Sequence, residues 1–189
     1  MKALVVYESM YGNTAAVGEA IAASLRANGL EVSSGPVTAI GPAEAAGAEL
    51  LVVGGPTHAH GMSRSATRKT AAEDKKNAYA HPTVAPGLRE WMDGLPPDTR
   101  RRAAAFDTRI EKPAILTGSA AKGIAKRLKH HGFRLVVEPE CFFVSTDNQL
   151  LENEIDHATT WGNEVAASIS WRPGMASWTA WKSRLESAG

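Results

Sequence analysis

The chain of 189 residues has one cysteine, Cys141, and aromatic residues make up only 6% of it. A lone thiol can form neither an internal disulfide nor a cysteine-rich zinc site. A disulfide-stapled scaffold is therefore excluded, and a reducing, cytoplasmic setting is expected. Long apolar runs are also missing. The first, residues 3–7, stops at Glu8 and is too short for a signal core of roughly 7 residues or more; no later run nears the ~18 needed to cross a membrane. The reading is a soluble protein without a membrane span. With 43% hydrophobic and 22% charged residues, neither disorder nor a fibre fits. The length predicts one domain of ordinary size with at most an appendage, large enough to bury roughly 70% of the surface its unfolded form exposes.

Net charge is low, +1, but its distribution is uneven. Residues 135–169 contain no Lys or Arg against seven acidic groups, whereas 64–134 contain sixteen basic and seven acidic groups. Residues 1–63 have two basic and five acidic groups, and the last twenty have three and one. The plain reading is that these blocks fold beside one another and cancel; the alternative is a functional basic surface.

Hydrophobic patterning alternates between two kinds of element. Residues 3–7 and 50–53 are short, branched apolar runs, as expected of strands buried on both faces of a parallel sheet. Val17, Ile21 and Leu25 recur at helical spacing, with Asn28-Gly29 as a stop. Residues 30–37 read as a second strand, and Leu88, Trp91 and Met92 as a helix ended at Gly94. A fourth strand is expected at 103–106, and Ile124 and Leu128 mark a helix closed by Gly132. Residues 133–137 and 141–144 read as a broken fifth strand, and 150–169 as a last helix. Residues 57–85 lack apolar periodicity and are expected to form a long functional connection. The alternation predicts an α/β fold, a doubly wound five-stranded parallel sheet with helices on both faces. The expected division is a domain over 1–169 and a C-terminal extension over 170–189, where Trp178, Trp181 and Leu185 lie at helical spacing. This extension either packs on its own domain or forms a homodimer contact.

Directly after the first strand stands Glu8-Ser9-Met10-Tyr11-Gly12-Asn13-Thr14, with a helix beginning inside it. Backbone N–H groups at a helix start attract anions, a glycine admits close approach, and Ser9, Asn13 and Thr14 can donate hydrogen bonds. That chemistry suits a phosphate monoester. Other phosphate motifs fail: no G-x-G-x-x-G follows the first strand, and in Gly118-Ser119-Ala120-Ala121-Lys122-Gly123 the next residue is Ile124 where a P-loop needs Lys. A phospho-accepting receiver would need acidic residues at the end of the third strand, where Gly54-Gly55-Pro56 stands.

Ser9-Met10-Tyr11-Gly12-Asn13-Thr14 resembles the phosphate loop of the flavodoxin family, Thr/Ser-x-Thr/Ser-Gly-Asn-Thr, and matches four of its five defined positions. The Met-Tyr variant is similar to that of flavodoxin domains in larger flavoproteins and of flavodoxin-type quinone reductases. Tyr11 is the departure. The resemblance implies strand order 2-1-3-4-5 and FMN at the switch between strands one and three. It further implies that Ser9, Met10, Tyr11, Gly12, Asn13 and Thr14 hold the phosphate, while Pro56, Thr57, His58, Ala59, His60 and Gly61 flank the isoalloxazine on one side. Asp107, Thr108 and Arg109 flank it on the other. Neither of these two loops has the Tyr or Trp that the family often stacks on the ring.

Three function classes stay open. The first is an FMN-binding electron carrier between a reductase and a redox acceptor, which needs no catalytic residue. The second is an NAD(P)H-dependent quinone or similar oxidoreductase, to which a basic rim would give weight through attraction for the cofactor's phosphates or an acidic partner. The third is a flavin-free interaction module on the same fold. His58-x-His60 reads as a pair of loop histidines at the flavin edge, with a metal pair as the rival reading. Cys141, set among apolar neighbours, reads as a buried structural thiol. Nucleic-acid binding is disfavoured because the basic runs lack interleaved aromatics.

Overall fold

Side chains alternate between the two faces of a strand, and here both faces are apolar. Leu4, Val6, Leu51, Val53, Ala103 and Ala105 point into one buried cluster; Ala3, Val5, Leu50, Val52, Ala104 and Phe106 point into the other. In the computed structural model, which describes residues 1–58, 61–64, 68–69, 87–96, 101–112 and 117–170, these runs form a central sheet between two helical layers. The strands are β1 (Lys2–Tyr7), β2 (Glu31–Pro36), β3 (Leu50–His58), β4 (Gly61–Met62), β5 (Arg102–Ile110), β6 (Arg134–Leu135) and β7 (Glu140–Val144). The helices are α1 (Asn13–Ala27), α2 (Leu88–Asp93), α3 (Ala120–His130) and α4 (Glu154–Ser170), with a 3₁₀ turn at Pro42–Gly47.

The sheet order is β2-β1-β3-β5-β6, with β7 also pairing to β5 and β4 to β3. All pairings are parallel except β3 with β4. The fifth position is shared, as its broken pattern suggested: β6 lies beside Arg102 and Ala103, and β7 beside Phe106 to Ile110.

Three expectations change. Among the described residues seven strands form instead of five, because the fifth position splits and β3 continues through Pro56 and Thr57 to His58. There it turns back as a hairpin, His58 opposite Gly61, inside the stretch expected to be irregular. The last helix starts at Glu154 instead of residue 150. Leu150 bridges to Val144 and Asn148 and Asn153 sit at φ 57° and 67°, in the left-handed region that interrupts a helix. Residues 59–60, 65–67, 70–86 and 171–189 lie outside the described residues, so the rest of the long connection and nearly all of the C-terminal extension do too.

The helices cover the faces the periodicity assigns. Val17, Ile21 and Leu25 of α1 are fully buried with Ala158, Trp161 and Val165 of α4 on one side. Leu88, Trp91 and Met92 of α2 and Ile124 and Leu128 of α3 are buried on the other. Phe106 meets Phe142 and Trp161 edge-on, with ring centroids 6.1 and 6.2 Å away. Its ring also occupies the space above β3: a Cβ on Gly54 would fall 2.0 Å from Phe106 Cζ. Gly54→Ala is expected to cost about 1–3 kcal/mol through overpacking. Urea unfolding should show this as a lower midpoint at unchanged slope; an unmoved midpoint would mean that the ring yields freely.

Candidate functional site

β1, β3 and β5 are neighbours and run the same way, so their carboxyl ends meet at one edge of the sheet, where ligands of open α/β folds collect. The Glu8 N–H donates to Gly54 O at 3.0 Å, and Gly55 and Pro56 lie beside Asp107 and Thr108. Four of the expected site residues are drawn together by side chains. Thr14 Oγ1 and Thr108 Oγ1 are 2.7 Å apart and buried. The Thr57 hydroxyl donates to Asp107 Oδ2 at 3.0 Å.

Asp107 is fully buried. Its Oδ2 also accepts from the Ser119 hydroxyl (2.9 Å) and the Ala121 N–H (2.8 Å). The carboxylate therefore sits at the N-terminus of α3, where helix N–H groups favour negative charge. Thr57 Oγ1 in turn accepts the Ala120 N–H at 2.8 Å. The segment 118–123 that fails as a P-loop is thus the cap of α3, Ser119 accepting from the Lys122 N–H.

Two expected residues face elsewhere. Asn13 donates its amide to Asn148 O at 2.8 Å, tying the first loop to the turn after β7. Arg109 donates to Cys141 Sγ (2.8 Å) and Thr117 Oγ1 (2.9 Å) and lies over the Phe143 ring, so its guanidinium clamps its own loop. Met10 is buried, while Ser9, Tyr11, Gly12, Pro56, Thr57, His58 and Gly61 are partly exposed. Ala59 and His60 lie outside the described residues.

Gly12 caps α1 at φ 89°, a left-handed conformation suited to glycine, and no acidic residue stands in the first turn. Ser9 Oγ is buried there without a hydrogen-bond partner. Glu8, the nearest carboxylate in sequence, is held by a separate set of donors: its oxygens accept from Ser63 Oγ at 2.6 and 2.7 Å and from the Leu88 N–H at 2.9 Å. These contacts tie β1 to the residues after β4 and to the start of α2. Glu8, Ser63, Ser119 and Asn148 were not among the expected site residues. Only the polar residue interrupting an apolar strand end marked Glu8, since the partners of Glu8 and Asn148 lie far away in sequence.

At the end of β3, His58 Nε2 is buried and unpartnered. Burial pushes the imidazole below its ordinary 6.5, and the Glu8 charge opposes this in part. An unfolded chain then takes up a proton before the folded one, so stability falls as pH drops below 6.5. In an NMR titration His58 should protonate below the ordinary histidine value, and His58→Gln should remove part of the acid-side loss of stability. Burial and the neighbouring Asp107 push the Cys141 thiol up strongly, against the opposing effect of Arg109. Thiolate is the reactive form, so the native protein should react with a disulfide reagent at pH 8 far more slowly than the unfolded chain; equal rates would contradict this environment.

The fold is similar to that of solved flavodoxins. A flavodoxin from the domain Archaea matches over 90% of this chain and 100% of its own, with TM-score 0.63 and 20% identity. Flavodoxin 1 from Bacillus cereus matches over 88% and 98%, at 0.63 and 17%. Rubredoxin oxygen:oxidoreductase from Desulfovibrio gigas matches over 89% of this chain but 36% of that one, at 0.58 and 18%. No family model and no curated protein matches the sequence. The chain has a flavodoxin-like fold. Among the described residues no helix is long and apolar enough to cross a membrane, and no three His, Cys, Asp or Glu residues group as a metal site.

Proposed function

We propose that this protein binds FMN and carries electrons between a reductase and a redox acceptor. The observation that supports this most is the buried, unpartnered Ser9 hydroxyl at the left-handed Gly12 turn of α1. An unmatched buried hydroxyl is costly, and an anionic oxygen at the helix start would satisfy it. Ser9 would donate its hydroxyl to the phosphate, and the first-turn N–H groups of α1 would add theirs. Arg109 is committed to Cys141 and Thr117, so the grip would use neutral donors instead of a cation.

Residues 55–58 and 107–109, at the carboxyl ends of β3 and β5, would flank the ring. When bound, FMN supplies the redox chemistry, accepting and releasing electrons one or two at a time. The chain's own part is to orient the ring and exclude water. The rigid contacts among Thr14, Thr57, Asp107 and Thr108 suit that task. A carrier needs none of these residues as an acid or base.

Calorimetry with FMN and riboflavin tests the phosphate grip. FMN should bind and riboflavin much more weakly. Ser9→Ala should weaken FMN about 10-fold or more, as expected for a charge-assisted hydrogen bond of roughly 1.5–3 kcal/mol, and leave riboflavin unchanged. Equal affinity for the two flavins would refute the reading. Steady oxidation of NADPH with menadione, with no other protein added, would assign a reductase instead.

A further inference from the structure

Among the described residues, charge of opposite sign is concentrated on two different helices. α3 contains Lys122, Lys126, Arg127 and Lys129 and no acidic residue, while α4 contains Glu154, Asp156 and Glu164 and no Lys or Arg. The two helices lie on opposite faces of the sheet, α3 in one buried cluster and α4 in the other. Their charges are kept apart over most of the sheet and approach only at the β6 edge, where Lys129 and Glu164 line one groove with Arg134 and Glu138.

On α3 the charge is concentrated. Ile124, Ala125 and Leu128 face the core, which leaves Lys122, Lys126 and Lys129 exposed as a stripe at helical spacing. The stripe spans roughly 10 Å at 1.5 Å per residue. None of the three has an ion-pair partner among the described residues; Arg127 pairs with Asp93, and Arg68 with Glu90. Basic residues extend the stripe sideways among acidic ones: Arg89 feels the charges of Arg127 and Arg64 and, in the opposite sense, those of Glu90 and Asp93. Arg89 also donates to the Met62 and Ser63 carbonyls, which brings the patch to the β3–β4 hairpin. The stripe's upper end starts beside the α3 cap that holds Asp107. It thus begins at the rim of the candidate flavin site.

We infer that the face formed by α3, α2 and the β4 hairpin docks an acidic redox protein, which exchanges electrons at this rim. The inference rests on the electron-carrier reading. The geometry favours a macromolecule over a nucleotide phosphate. The lysines are exposed, strung along a helix and separated from one another, whereas a phosphate needs donors converging on one point. Dispersed charge of one sign steers a large partner over distances of about a Debye length, ~10 Å at 0.1 M salt. Across an electron-transfer contact such charge sets encounter rate and partner choice.

The test uses an acidic [2Fe–2S] ferredoxin, reduced beforehand, as the donor to flavin-loaded protein in a stopped-flow instrument. The second-order rate should fall about 10-fold or more between low and high salt. Lys126→Glu should lower the low-salt rate several-fold, and Lys122→Glu with Lys129→Glu further. Lys2→Glu, the same charge change at the opposite end of the sheet, should alter it by less than about twofold if position matters more than net charge. A salt-independent rate, or equal effects of Lys126→Glu and Lys2→Glu, would overturn the docking face. So would tighter binding of a DNA duplex than of the ferredoxin at the same salt. Calorimetric binding of the ferredoxin to the flavin-free chain separates the two readings. Salt-sensitive binding that Lys126→Glu weakens, in a chain that takes up no FMN, would refute the carrier and keep the face. FMN uptake without ferredoxin binding would do the reverse.

Discussion

Because β1, β3 and β5 lie side by side and run in one direction, everything placed after them is delivered to a single edge. This constraint organises the rest of the molecule. A parallel sheet needs long connections, and those connections become helices that must bury an apolar stripe on one face or the other. Helix starts therefore gather at the carboxyl edge together with the strand ends. The left-handed Gly12 turn opens α1 there, and Ser119 and Ala121 open α3 around the Asp107 carboxylate. The candidate site is a consequence of strand direction before it is a consequence of any particular side chain.

Two buried carboxylates make this edge rigid in different ways. Asp107 joins β3, β5 and α3 through one oxygen. Glu8 joins β1 to Ser63 and to the first N–H of α2. A buried carboxylate is tolerated only with partners, so each fixes the loops that supply them. Between these two anchors remain Ser9 Oγ and His58 Nε2, buried without partners. The edge thus combines anchored carboxylates with a few buried polar atoms that lack partners, Asp107 Oδ1 among them. A framework fixed in advance costs a ligand less ordering on binding.

Charge follows the same architecture. Segments adjacent in sequence alternate between faces, so basic α3 and acidic α4 pack on opposite faces and meet only around the groove beside β6. A net charge near zero conceals an uneven surface, with the basic stripe of α3 starting at the rim of the candidate site.

Much of this was legible in the sequence. The two-sided apolar runs, the helical spacing of Val17, Ile21 and Leu25, and the break in the fifth strand follow from local periodicity. The glycine of the first loop marks its turn because left-handed backbone is easy only for glycine. Those features depend on residues within a turn or two of each other. The partners of Asp107, Glu8 and Asn13 do not: Ala121, Leu88 and Asn148 are 14, 80 and 135 residues away. Nor could the sequence show that Arg109 turns back to Cys141, or that basic α3 and acidic α4 pack on opposite faces. Periodicity is written along the chain, and so the chain by itself determined most of the elements, their order and the glycine turn that opens α1. Hydrogen bonding and charge depend on distances through space, which only the packed sheet and helices decided.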